Sequence, residues 1–277
     1  RLLEGRSGQE EKRPRFPYRG LVAIVAAASL LTGAVGAVSL AGVSPAFREL
    51  FGITSEEQAK NLGVIQMNQV FEDKNGSGAT VTVKEAAADQ EQFYILVEFA
   101  APEGTVLPEP DQVEEGFNRA VLWGGPDGRG IGFGAYRDES CTSFIGSSEA
   151  GYAIDYVEDS DPTDNKMEFI IRGHIDPMPK DAAYCLFSGI QSLCMQYQGE
   201  WVTVLDGMDI DLIVPLVGMG THYDFQGRCG VNLNGVTLAV AENLTISPIS
   251  VSMDLVIPDG AAYDAAFGQD GPWQMYA

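Results

Sequence analysis

The sequence predicts a mainly β protein, with one transmembrane helix near the N-terminus followed by antiparallel β-sandwich domains. Three observations carry this. No charged residue occurs from Gly20 to Phe47. Beyond about residue 63 the apolar residues recur at every second position, the period of a strand with one buried face. Turn-rich stretches such as Gly124-Gly125-Pro126-Asp127-Gly128 separate these runs, and no long amphipathic helical pattern intervenes, which disfavours a parallel sheet with crossover helices.

Residues 1–19 read as a basic cytoplasmic stub, and both ends of the chain look cut, at Arg1 and at Ala277. Up to Val43 six basic residues (Arg1, Arg6, Lys12, Arg13, Arg15, Arg19) face three acids. The formal charge of the chain is −22, which leaves −25 on everything that follows. A surface so negative repels phosphate backbones, and nucleic acid is excluded as a partner. The same acidity keeps an exported domain soluble.

Residues 20–43 form the expected membrane helix and bring the lipid bilayer in as a partner. Roughly 20 apolar residues at about 1.5 Å each span the ~30 Å hydrocarbon layer. Ten Leu, Ile and Val residues contribute a gross insertion term of about −3 to −6 kcal/mol, reduced by the glycines among them. Positive charge before the run and acidic sequence after it place the N-terminus in the cytoplasm and the remainder outside the cell. A cleaved signal peptide, with a small-residue site near Ala37 to Ala41, is the rival reading. Ser29, Gly33, Ala37 and Ala41 form a small-residue stripe suited to helix pairing.

Residues 44–62 predict short juxtamembrane helices resting at the membrane surface. Thr54 with Glu57 suggests a capping box that opens a helix through Leu62, ended by Gly63. A first sandwich is expected over residues 63–215. Val81 and Val83 share one face there, Phe93, Ile95, Val97 and Phe99 share another, and Met167, Phe169, Ile171 and Met208, Ile210, Leu212, Val214 repeat the pattern. A turn lies between Asp89 and Gln92. A second β-domain, 216–277, has its clearest strand at Ile249 to Ile257.

Several ordered segments carry a resemblance. Ala41-Gly42-Val43-Ser44-Pro45-Ala46-Phe47-Arg48-Glu49-Leu50-Phe51-Gly52-Ile53-Thr54 is followed by Thr80-Val81-Thr82-Val83-Lys84-Glu85-Ala86, Tyr94-Ile95-Leu96-Val97-Glu98 and Ala101-Pro102-Glu103-Gly104. Later come Asp164 to Ile171, Gly199-Glu200-Trp201 and Ile246 to Val251. This series resembles the domain-of-unknown-function 4179 family of single-pass membrane proteins of Gram-positive bacteria. The resemblance implies immunoglobulin-like sandwiches behind one helix. Some relatives are described as anti-sigma factors, which implies a sigma-factor partner bound through a region before Arg1. No catalytic residue carries over. Glu114 to Gly151 departs from the family pattern.

Cys141, Cys185, Cys194 and Cys229 all follow the membrane segment, and an oxidising exterior permits two disulfides. Cys185 with Cys194 and Cys141 with Cys229 is the preferred pairing, and four free thiols is the competing reading. The absence of a paired C-x-x-C and the presence of only His174 and His222 argue against zinc. Neither histidine has a nucleophile beside it, and Gly146-Ser147-Ser148-Glu149-Ala150 lacks the second glycine of a nucleophile elbow. Glu158, Asp159, Asp161 and Asp164 crowd one turn in a way that suits calcium, but Pro162 and the missing glycine spoil an EF-hand loop. We therefore expect no enzyme, cofactor or resident metal. The expected functions are envelope sensing of an anti-sigma-factor kind or, alternatively, a cell-envelope module binding a protein, peptide or glycan without signalling.

Overall fold

A computed structural model describes residues 40–89, 92–113, 118–125, 130–146, 150–158, 161, 163–175, 181–216, 223–233, 236–247 and 249–267. The stub and most of the expected membrane helix lie outside the described residues. Residues 40–43 lie within them. Leu40–Gly42 make a 3-10 turn, and Val43 is buried with Phe47, so the end assigned to the membrane span belongs to the folded part. Among the described residues no helix is long and apolar enough to cross a membrane.

The described chain is mainly antiparallel β. Strands β1 (Ile65–Glu72), β2 (Thr80–Ala88) and β3 (Gln92–Ala100) are followed by β4 (Ala120–Trp123), β5 (Gly132–Tyr136), β6 (Ala150–Val157) and β7 (Lys166–Ile175). Then come β8 (Tyr184–Ile190), β9 (Ser192–Tyr197), β10 (Glu200–Leu205), β11 (Ile210–Pro215), β12 (Tyr223–Leu233), β13 (Val236–Ile246) and β14 (Val251–Val256). They pair in four sheets, ordered β1-β2-β3-β7-β6, β10-β9-β4, β11-β8-β5 and β12-β13-β14. The first three lie wholly within 63–215 and the fourth within 216–277.

The alternation in β3 and β7 explains the main core. Phe93, Ile95, Val97, Phe99, Met167, Phe169 and Ile171 turn to one face of the five-stranded sheet, where each is at most 2% exposed. They pack with Leu122, Leu193 and Met195 of one small sheet and with Phe187, Leu212 and Val214 of the other. Phe93, Phe133, Phe187 and Tyr152 cluster with ring centroids 5.2–5.9 Å apart. Truncating Phe93 there would cost about 3–5 kcal/mol. A one-residue corner between β8 and β9, at Gln191, carries the backbone from one small sheet to the other. Gln191 N–H donates to the Trp123 carbonyl at 2.8 Å, and its own carbonyl accepts from Met208 N–H at 3.0 Å.

The opposite face of the five-stranded sheet is shared. Helix α1 (Pro45–Leu50) and helix α2 (Glu56–Leu62) cover part of it, burying Phe47, Ala59 and Leu62 against Ala87, Leu96 and Ile170. These helices turn their apolar faces to the sheet. The capping box of α2 also sits one residue later than expected: Gln58 N–H donates to Ser55 Oγ at 3.3 Å, and Ser55 N–H donates to Gln58 Oε1 at 3.1 Å. Gly63 closes the helix at φ 71, a left-handed conformation that glycine adopts without penalty. The rest of the face is charged, with Lys84 Nζ 2.5 Å from Glu168 and 3.3 Å from Glu98, and Lys166 Nζ 2.9 Å from Glu98. Among the described residues β1 is an edge strand paired to β2 alone; its register slips between Gln66 and Gln69, where Asn68 takes φ 52. A final helix, α3 (Gly260–Phe267), is capped by Asp259 Oδ1, which accepts from Ala262 N–H at 3.0 Å.

Candidate functional site

Two places in the fold hold side chains whose environment demands explanation. The first is a joint on β2. A register shift between Val83 and Glu85 lets Val81, Val83, Ala86 and Ala88 face the core while Glu85 and Ala87 face the helices. Glu85 is 3% exposed. It accepts from Ser44 N–H at 2.7 Å, Ser44 Oγ at 2.8 Å and Gln66 Nε2 at 2.9 Å. Ser44 Oγ in turn accepts from Phe47 N–H at 3.2 Å, so this carboxylate anchors the residue that caps α1. Asp89, at the end of the same strand, is 2% exposed. It accepts from Gln92 N–H at 2.7 Å and from the hydroxyls of Ser247 and Ser250. Ser247 and Ser250 flank the turn between β13 and β14, and Ile249 of that turn packs against the cluster that contains Phe47. A buried carboxylate is tolerable only when its oxygens are hydrogen-bonded, and here each acid binds a different segment to one strand.

The second place is an open groove of about 390 Å³ on the outer face of β4-β9-β10. Period-two alternation turns Val202 and Val204 towards the core and leaves Trp201 and Thr203 outward. In β4 it turns Ala120 and Leu122 inward and Val121 and Trp123 outward. Pairing sets Val121, Cys194 and Thr203 in one row across the sheet. Trp123 and Trp201 flank that row and are 43% and 52% exposed. Asn118 completes the rim. Beyond Trp201 the hairpin turn is held by Asp111, whose Oδ2 accepts from Gly199 N–H at 2.7 Å, and Glu200 stands exposed. The nearby cation, Arg119, is engaged elsewhere: its guanidinium lies 4.9 Å from the centre of the Tyr156 ring and 3.8 Å from Glu109.

Cys141, Cys185 and Cys194 are free thiols. The preferred Cys185–Cys194 bridge is thus absent. Its partners stand on strands of different sheets, Cys185 opposite Val214 and Ala135, and Cys194 opposite Thr203 and Val121. Cys185 is fully buried, which raises its pKa far above the usual thiol range; burial likewise pushes the half-buried Cys141 up to about 11. The side chain of Cys229 lies outside the described residues, and the free Cys141 leaves the Cys141–Cys229 bridge unformed as well. Cys194 Sγ is 3.7 Å from Ser192 Oγ and 3.6 Å from Thr203 Oγ1, on the floor of the groove.

Of the acidic turn, Asp155 Oδ2 accepts from Arg172 Nε at 2.5 Å, Asp161 Oδ1 from Thr163 Oγ1 at 2.6 Å and Asp164 Oδ1 from Lys166 N–H at 2.8 Å. Each of these three carboxylates is directed to its own partner, Glu158 is exposed, and Asp159 lies outside the described residues. Among the described residues no group of three or more His, Cys, Asp and Glu gathers to hold a metal. His174 is exposed on β7, whereas His222, Ser147 and Ser148 lie outside the described residues.

No protein-family model matches the chain. No curated protein matches it either. A solved structure described as the conserved domain protein from Bacillus anthracis is similar at a TM-score of 0.48 and 14% identity, covering 80% of this chain. The present chain spans 66% of the length of that protein.

Proposed function

We propose that this chain is the extracytoplasmic, immunoglobulin-like sandwich part of a single-pass membrane protein that senses conditions at the cell envelope, in the manner of a membrane-bound anti-sigma factor. The observation that carries the reading is the joint on β2. Glu85 holds the cap of α1, the helix that follows directly on the segment expected to leave the bilayer, and Asp89 holds the turn of the β13-β14 hairpin. Both segments meet on the apolar cluster around Phe47, Ala87 and Leu96. These contacts supply a continuous path by which a rearrangement of the β12-β13-β14 sheet would reach the start of the folded part, which is what an inward signal requires. The resemblance to the domain-of-unknown-function 4179 family supports the same address and the same class of partner.

The alternative, an envelope module that binds without signalling, is favoured by the exposed tryptophan groove. Affinity capture of the full-length protein from membranes of its native cell decides between them. Recovery of a sigma factor, in an amount altered by Asp89→Ala, supports sensing. Extraction by a high-salt wash without detergent overturns the membrane address, and repeated absence of a sigma factor transfers the assignment to the binding module.

A further inference from the structure

We propose that the groove between Trp123 and Trp201 docks a cationic peptide segment, with Lys or Arg side chains seated against the indole faces. The inference is independent of the sensing reading, since it concerns the occupant of one surface and not the joint.

Three observations lead to it. Two tryptophans 43% and 52% exposed on one small sheet leave large apolar, electron-rich faces in water. Indole faces attract ammonium and guanidinium groups, each contact contributing modestly when exposed and more when desolvated. The floor between them is apolar, Val121 and Cys194, with Thr203 and Asn118 as the polar contributors. Such a floor suits the methylene stem of Lys or Arg, which covers apolar surface while its charged head stays at the edge. A neutral glycan needs a denser array of hydrogen-bonding side chains than these two.

Charge complementarity supplies the third observation. The chain has 39 acids against 17 basic residues. Lys74, Lys84, Lys166, Arg119, Arg137 and Arg172 are engaged in ion pairs with the chain's own carboxylates. Glu200 and Asp111 lie at the hairpin end of the groove, and among the described residues neither indole carries a cation of the chain itself. The chain's net charge of −22, with these two acids beside the groove, favours the approach of cations over anions.

The test is a titration of the full chain, in detergent, with three probes: a dye-labelled hexalysine peptide, the same peptide with every lysine acetylated, and a neutral chitin oligosaccharide. Circular dichroism melts of Trp123→Ala and Trp201→Ala establish that both variants fold. The expected result is binding of hexalysine that weakens at least about fivefold in each variant, with the acetylated peptide weaker by a similar or larger factor. Hexalysine binding unchanged by both substitutions would mean diffuse attraction to an acidic surface, and it overturns the proposal. Equal binding of the acetylated peptide, or oligosaccharide binding that alone depends on the tryptophans, overturns it in favour of a neutral ligand. A dimer by light scattering that both variants dissociate, without hexalysine competition, assigns the groove to a second copy and overturns it as well.

Discussion

Replacing Asp89 by alanine removes the acceptor shared by the hydroxyls of Ser247 and Ser250, in a joint where the three residues are 2%, 8% and 9% exposed. Water cannot readily take the place of the carboxylate. A hydrogen bond to a charged acceptor contributes about 1.5–3 kcal/mol, and a buried donor left unpaired costs about 1–3 kcal/mol. The two serine oxygens lie 3.1 Å apart and can still bond to each other, so one of the two donors recovers a partner. The expected loss is therefore about 2–4 kcal/mol in urea unfolding, with faster amide exchange in β13 and β14. The triple variant D89A/S247A/S250A removes acceptor and donors together. It should be destabilised by less than the sum of D89A and S247A/S250A, with a coupling of at least about 1 kcal/mol. Strict additivity, or a D89A loss below about 0.5 kcal/mol, would refute the view that this carboxylate fastens the hairpin.

Three further outcomes are expected. Gly173→Ala would put a methyl group 2.5 Å from the Gly151 carbonyl oxygen and closer still to the Phe93 ring; overpacking of about 1–3 kcal/mol should appear as a lowered Tm, and an unchanged Tm would contradict the packing. Burial of Asp73 works to raise its pKa, but a hydrogen bond from the Ser77 side chain and backbone N–H donations from Asp209, Ser77 and Asn75 prevail and hold it at about 2, below its ordinary 3.8; a depressed carboxylate stabilises above its unfolded pKa, so stability should fall as pH drops from 3.8 towards 2, and Asp73→Asn should flatten that limb in acid titrations of unfolding. In native maleimide labelling Cys194 should react, Cys185 should stay protected until unfolding, and non-reducing peptide maps should contain no link between them; such a link would disprove the strand placement.

Much of the antiparallel β architecture was legible because its strands alternate cleanly. Phe93 to Phe99 and Met167 to Ile171 bury the residues that the period assigns. What lay hidden are features that depend on pairing. Val83 and Glu85, two residues apart, look like same-face positions of one strand, and only the bulge against β3 turns Glu85 to the helix side. The corner at Gln191 sends Tyr184–Ile190 and Ser192–Tyr197 to different sheets, and it is this turn, invisible in the spacing, that separates Cys185 from Cys194. Ser55 competes with Thr54 as the cap of α2, and both backbone N–H groups reach Gln58, so the one-residue error has a local cause. The exposed tryptophans had a signal, since Val202 and Val204 out of phase with Trp201 imply opposite faces. α3 had one too, an aspartate before an alanine-rich run, but it is shorter than most helices.

The slipped register in β1 also guards the open border of its sheet. A straight outer strand would offer its free amides and carbonyls to the same strand of a neighbouring molecule, and acidic repulsion alone would oppose the match. With Asn68 in a left-handed conformation, the row of donors and acceptors is broken midway along that border, and two copies cannot zip together in continuous register.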